Sequence, residues 1–277
     1  MVNVQIEAHV DGLGTIIYCH DSAFDTASKV VLKKSDELIP FRDLAYARIK
    51  DAKAHDGNWK ESSLCTIGSY VKEGSLFVPN ASNKRIWLRE SLVLKNPSDA
   101  VKAHKKEGEY LLKRFKVESH LEKIGKGNYF VLTDTTPVPT NRFGEDERTV
   151  WLFGDQAKPY GEFLGSKPVG ISKSNIWMYT DNDKGNDKGI DAQSRPFANQ
   201  LWLLGLGDNS NVGGDSRYLN SNSGVRGVRR ESAEGGASKN ADMYTSKEFL
   251  TASRNVGFVI TGNLEKTLLA ELDKLRK

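Results

Sequence analysis

The sequence predicts an α+β protein in which short strands and long loops pack with a few helices. Three observations carry that prediction. The first forty residues read as short β-branched runs, a helical spacing sets in at Pro40, and short apolar runs separated by long polar stretches fill the second half.

VQIEAHV, TIIYCH and KVVLKK are the strand-like runs of the opening block, and DGLG marks a turn between the first two. From Pro40, residues Phe41, Leu44, Ala45, Arg48, Ile49 and Ala52 recur at helical spacing, with Asp43 in the first turn. A helix over 40–54 with one buried face follows, ended by Gly57. SLFVPN and KRIWLRESLVL make a second strand-rich block. Asn96-Pro97-Ser98-Asp99 then opens a helix expected to run to about Lys116, although Gly108 falls inside it. GNYFVLTD reads as a strand and TTPVPTN as a turn or linker. The 277 residues are expected to form a single domain, with 135–146 as the best place for an internal subdivision. Beyond it, TVWLFGD, NIWMYTD, NQLWLLGLG, VRGVRR and NVGFVIT read as strands. Leu264, Leu268, Leu272 and Leu275 predict a closing amphipathic helix with Asn263 as its N-cap.

Composition narrows the function. With 40 basic and 36 acidic residues, the net charge of +4 is small and mixed along the chain, which disfavours a nucleic-acid partner. No segment reaches the roughly 18 consecutive apolar residues of a membrane span, so no membrane insertion is expected. The N-terminus has neither a basic start nor an apolar core, which makes a cytoplasmic location the default. Cys19 and Cys65 are too few for a disulfide framework or a structural zinc site.

Catalytic signals are weak. His9, His20, His55, His104 and His120 form no metal-ligand spacing, and Cys19 and His20 would point to opposite faces of a strand. GLGDNSNVGG lacks the third glycine of a dinucleotide fingerprint, and no helix start follows it. DNDKGNDKGID, from Asp181, misses the EF-hand register because Gly185 and Asn186 stand at positions five and six. A solvated turn is the simplest reading there, with an irregular calcium site as the alternative. No cofactor and no metal is expected. Trp151, Trp177 and Trp202 sit in short apolar runs and are expected to pack in the core, whereas Tyr179 and Tyr218 border polar loops and suit a recognition face.

The most unusual segment is LGDNSNVGGDSRYLNSNSG at 206–224. Fourteen of its nineteen residues are Asn, Ser, Gly or Asp, between NQLWLLGL and VRGVRR. Replacing adenines in AAC or AAT codons for Asn yields Ser, Asp, Gly, Tyr and Val among others, which is the mixture found. SRNVGFVI, at 253–260, is similar to the closing strand of C-type lectin folds related to the formylglycine-generating enzyme, with Val259 where those folds carry Arg. The combination of RPFANQLWLLGL, the soft segment and VRGVRR resembles the variable region of the archaeal, nanoarchaeal-type variable proteins of diversity-generating retroelements. The resemblance covers roughly 175–262 well and the N-terminal half loosely.

That resemblance implies a C-type lectin fold that displays a variable surface at about 200–230 and binds an unknown protein or cell-surface ligand without catalysis. Asp208, Asn209, Ser210, Asn211, Asp215, Ser216, Tyr218, Asn220 and Asn222 would be the ligand contacts, with Tyr179 and Asp181 as neighbours. Val212 and Leu219 would point inward, over a core of Trp202, Leu203, Leu204, Val225 and Val228. Two other readings remain: a lectin-like module of fixed or calcium-dependent specificity, and an enzyme on the related scaffold. The second lacks a cysteine beyond Cys65 to carry that chemistry.

Overall fold

The computed structural model describes residues 4–20, 22–78, 85–107, 110–134, 136–175, 196–208, 210–214, 219 and 224–231. By its internal contacts the chain divides into two compact units, Met1–Arg230 and Glu231–Lys277. All elements below belong to the first unit, and the stretch 135–146 lies inside it. NVGFVIT, the expected closing helix and most of NIWMYTD fall outside the described residues.

A mixed sheet organises the first unit. Strands β1 (Val4–Val10) and β2 (Gly14–Cys19) form an antiparallel hairpin across the expected DGLG turn. β3 is Glu37–Leu38, β4 Ser69–Phe77, β5 Arg85–Leu88, β6 Tyr110–Leu111 and β7 Tyr129–Leu132. β8 (Val138–Pro139) and β9 (Lys173–Ser174) pair apart from the others. β10 (Phe197–Leu203), β11 (Val212–Gly213) and β12 (Val225–Arg230) complete the set. Among the described residues the main sheet runs β1-β2-β12-β4-β10-β11, with β5 and β7 continuing from β4. β12, late in sequence, therefore lies at the centre, antiparallel to β2 and parallel to β4 at Val225 and Tyr70. The soft segment follows β10, pairs back onto it as β11 and leads into the sheet's central strand β12.

The helices correct the sequence reading at four places. KVVLKK belongs to helix α1, Phe24–Leu32, not to a strand. Phe24, Ala27, Ser28 and Val31 are its buried residues, and that helical spacing outweighs the local β preference of the valine pair. α2 (Phe41–Ala54) is the expected helix, and Gly57 at φ +81° ends it by donating its N–H to the Ala52 carbonyl. After α3 (Ser63–Thr66), the RESLVL end of the second block turns into α4, Leu92–Lys95, capped by Ser91. α5 (Pro97–Glu107) stops well before Lys116, because Tyr110 and Leu111 are taken into the sheet opposite Phe197 and Ala198. α6 is Val117–Ile124. TVWLFGD lies in α7, Glu147–Phe153, not in a strand, since Asp146 accepts N–H bonds from Arg148 and Thr149 as an N-cap. α8 is Ala157–Gly165. Among the described residues no helix is long and apolar enough to cross a membrane.

Side-chain alternation along the strands divides the core in two. Val71, Leu201, Leu203 and Val228 face one cluster with Phe41, Leu44, Phe153 and Tyr160. Tyr70, Leu76, Ala198 and Val225 face the other with Phe24, Val31 and Leu219. Both layers are closed over by helices, α2, α7 and α8 on the first and α1 and α5 on the second.

Candidate functional site

The described residues of the soft segment are tied down by backbone and side-chain bonds. At its start, Leu204 donates its N–H to the Asn211 carbonyl at 2.9 Å, and Ser210 donates to the Gly205 carbonyl at 3.2 Å. The chain makes a 3-10 turn at Leu206–Asp208 and then doubles back, so that Val212 pairs with Leu203 and Gly213 with Trp202. Val212 is fully buried, as expected, and its N–H reaches the Asn175 carbonyl at 2.9 Å. Gly213 lies under the Trp202 indole, where a Cβ would overlap the ring nitrogen. Gly205 is pressed against the Thr66 carbonyl in the same way. Gly207, by contrast, has open space around it.

Within the segment, Ser210 is turned into the interior. It is 1% exposed, and its backbone is left-handed at φ +49°. Its Oγ sits 2.6 Å from Tyr160 Oη and accepts from Arg48 Nη1 at 3.3 Å. The same guanidinium nitrogen donates to Tyr160 Oη at 2.9 Å, and Nε donates to the Leu64 carbonyl at 2.7 Å. Arg48 is completely buried on α2, at a position on that helix's apolar stripe. The Ser210 carbonyl accepts from Ser174 Oγ at 2.8 Å, and Asn211 Oδ1 accepts the Asn175 N–H at 2.9 Å.

Leu219 is the second anchor. Its side chain is fully buried in the second core cluster, as the sequence predicted. Its carbonyl accepts the N–H of Phe24, the first residue of α1, at 2.9 Å. No side chain caps that helix start, so the Leu219 carbonyl satisfies a donor the helix cannot satisfy itself. The segment returns to the sheet at Gly224, where a Cβ would come within 2.8 Å of the Gly68 carbonyl.

The strand that follows is fixed from below. Arg226 is fully buried and pairs with Glu7 through Nε–Oε2 at 2.5 Å and Nη2–Oε1 at 2.7 Å. The register of β1 shifts between Ile6 and Ala8, a bulge that turns Glu7 inward. Arg230, at the outer end, bonds Glu37 at 2.5 Å and Asp43 at 2.6 Å. Glu37 also pairs with Lys72; burial raises its carboxyl, but the hydrogen bonds and charges of Lys72 and Arg230 together hold it below the usual range. Beneath β10, Gln200 accepts from Ser91 Oγ and donates to the Val71 and Glu73 carbonyls. The Glu73 side chain accepts the Phe41 N–H at 3.2 Å and so caps α2, the helix that carries Arg48.

Of the residues expected to contact a ligand, Asp208 ends the 3-10 turn, Ser210 is buried and Asn211 is half-buried. Asn209, Asp215, Ser216, Tyr218, Asn220, Asn222, Tyr179 and Asp181 lie outside the described residues, as does Trp177. Leu203, Val225 and Val228 are fully buried beneath the segment, whereas Trp202 and Leu204 are half-buried. Trp151 packs beside Trp87 and Phe130 from α7, with Arg89 stacked over its ring.

Sequence reasoning did not single out Tyr160, Glu7, Glu73 or the buried role of Arg226. A signal for the last was present: Arg226 shares strand parity with Val228, so one arginine of VRGVRR had to face inward and required an acid.

Reactive groups are few. Among the described residues no three His, Cys, Asp or Glu are grouped to hold a metal ion. Cys19 and Cys65 are both buried, and burial pushes the Cys65 thiol above its ordinary value, away from the nucleophilic thiolate.

No protein-family model matches the chain, and no curated protein matches it in sequence. A solved structure does, described as accommodation of massive sequence variation in Nanoarchaeota by the C-type lectin fold. It superposes with a TM-score of 0.55 over 80% of this chain and 100% of its own, at 17% identity. The mixed sheet, the helices packed on it and the late strand returned to its centre are thus those of a C-type lectin fold.

Proposed function

We propose that this chain is a non-enzymatic ligand-binding protein whose surface around 208–223 is diversified by a retroelement through replacement of adenines. One observation supports it above the others. A segment of Asn, Ser, Gly and Asp is held at Val212, Gly213 and Leu219 by residues whose burial leaves them no freedom, while Gly207, ahead of them in the chain, faces open space. A fixed framework of that kind permits side chains at other positions to change without loss of fold. The solved structure of similar fold is itself described in terms of massive sequence variation. Asp208, Asn209, Asn211, Asp215, Ser216, Tyr218, Asn220 and Asn222 are the proposed contacts, with Tyr179 and Asp181 beside them, and the ligand is a protein or cell-surface molecule.

The decisive test is the coding DNA. A near-copy of the 206–224 coding sequence that differs only at adenines, close to a reverse transcriptase gene, is the expected finding. A genome containing neither removes the diversification and leaves a lectin-like binder of fixed specificity. A second test uses the protein: joint replacement of Asp215, Ser216, Tyr218, Asn220 and Asn222 is expected to leave folding intact, at about 0.5 kcal/mol or less per site. Loss of folding there contradicts the display surface.

A further inference from the structure

We infer that Arg48 and Tyr160 are positioning residues for the display segment, and that Ser210 is a framework position held by them, not a ligand contact. The inference deepens the display reading and borrows from it only the purpose of the segment.

Residue type and backbone conformation are mismatched at position 210. At φ +49° the backbone of residue 210 occupies the left-handed region, which Gly enters most readily and Asn next. The surrounding sequence is rich in both, yet the position carries Ser. Local conformational preference therefore does not account for the residue, and the hydroxyl does. Its Oγ lies 2.6 Å from Tyr160 Oη and 3.3 Å from Arg48 Nη1, with all three side chains buried. A buried guanidinium must place its N–H groups on acceptors. Among the described residues Arg48 places them on the Leu64 and Ile67 carbonyls and on these two hydroxyls.

Removal of the Ser210 hydroxyl leaves a buried donor short of a partner. Fixing Ser210 also fixes its neighbours. Its N–H bonds Gly205, its carbonyl accepts from Ser174, and the next two residues, Asn211 and Val212, both bond Asn175. Arg48 thereby sets the path of the chain from 204 to 212 from a helix more than 150 residues earlier, the separation from Ser210 being 162.

Amide hydrogen exchange on the full chain tests this, with Leu204 and Val212 reporting the loop base and Ile16 and Ile17 reporting the sheet. Ser210→Ala and Ser210→Gly are both expected to speed exchange at Leu204 and Val212 by about tenfold, with Ile16 and Ile17 unchanged. A general loss of stability would move all four together. In an Arg48→Met, Tyr160→Phe background the hydroxyl has lost its purpose, so Ser210→Gly is expected to slow exchange at the loop base. That reversal of sign is the signature of the clamp. Should the double background fail to fold, Tyr160→Phe alone reads the same contact, with a loop-specific increase of roughly 2- to 10-fold.

Unchanged or slower exchange at Leu204 and Val212 in Ser210→Gly, with Arg48 and Tyr160 intact, overturns the inference. So does a Tyr160→Phe protein with wild-type loop exchange. No ligand or gene comparison enters the measurement, so failure of the display reading would leave its outcome standing. Failure of the clamp would equally leave that reading to its own test in the coding DNA.

Discussion

Arg226 and Glu7 form a bidentate ion pair in the interior, with side chains 0% and 2% exposed, between the central strand and the edge strand of the sheet. Tyr18 of β2, the strand between them, stacks its ring 4.6 Å from the guanidinium. The remaining Arg226 donors reach the carbonyls of Ser63, Ile67 and Gly68, and Ser63 Oγ donates to Glu7 Oε1 at 2.7 Å. Arg226→Met strands the Glu7 carboxylate in the core and is expected to cost about 3–5 kcal/mol in urea denaturation. Arg226→Met with Glu7→Leu removes both charges and is expected to regain most of that loss. A double variant no more stable than Arg226→Met would show that the pair contributes through its carbonyl contacts and not through charge compensation.

Glu73 makes stability depend on pH. It is wholly buried, and desolvation raises its carboxyl to about 7, against the bond from Phe41 and the nearby charges of Arg89 and Lys72. Below pH 4.5 the side chain is protonated in both folded and unfolded chains, and its contribution is complete. Between 4.5 and 7 the folded protein retains a proton that the unfolded chain releases, so stability falls as pH rises. The total fall is about 3 kcal/mol and levels off above pH 7. Glu73→Gln keeps an acceptor for the Phe41 N–H without the ionisation. The stability difference between Glu73→Gln and the parent should therefore grow in the variant's favour from pH 5 to 7, as read by urea midpoints. A pH-independent difference would place the Glu73 carboxyl in contact with water.

Trp202 and Gly213 are coupled through one small volume. They are partners across β10 and β11, and the indole occupies the space a Cβ on residue 213 would take. Gly213→Ala is expected to cost about 1–3 kcal/mol by displacing the ring. Trp202→Ala is expected to cost about 3 kcal/mol, the low end of the range for a buried tryptophan, because the ring is only half-buried. In the Trp202→Ala background the alanine at 213 has room, so Gly213→Ala should then be close to neutral. Additive losses in the double variant would rule out the steric coupling.

These couplings explain which parts of the molecule could be read from the chain. β1, β2, β10, β12 and α2 were legible because each carries its own periodicity over six residues or more. α1 was not, because Val30 and Val31 signal a strand locally while the helical spacing is set by Phe24, Ala27 and Ser28, two of them small. α7 was missed for a similar reason: TVWLF is strand-like in isolation, and the deciding signal is the Asp146 cap just before it. Within the site, the inward anchors Val212 and Leu219 stood out as apolar residues among polar ones. Ser210 did not, since serine in a soft segment reads as loop, and its partners Tyr160 and Arg48 lie 50 and 162 residues away. Arg48 itself lay on the apolar stripe of α2, a visible anomaly whose meaning depended on contacts that no local pattern encodes.

The framework positions and the proposed mutagenesis meet at one codon. Gly205, Val212, Gly213 and Gly224 are encoded by GGN or GTN, without adenine at the first two codon positions. Leu219 is equally protected if its codon is CTN or TTG, whereas replacement of the adenine in TTA would give Phe. Where the near-copy carries these same codons, adenine replacement cannot alter the residues whose side chains or missing side chains are most tightly confined. Ser210 is the exception, because serine is encoded both by AGC or AGT and by TCN. If replacement acts across the segment and the Arg48–Tyr160 clamp requires a serine at 210, the codon there should be TCN. Ser216, Ser221 and Ser223, if they arose from Asn codons, should instead stand opposite AAC or AAT in the near-copy. Sequencing the gene together with its near-copy reads this directly. An AGC or AGT codon at 210, with sister copies carrying Asn, Gly or Asp in its place, would mean that the position varies freely and that the clamp is dispensable.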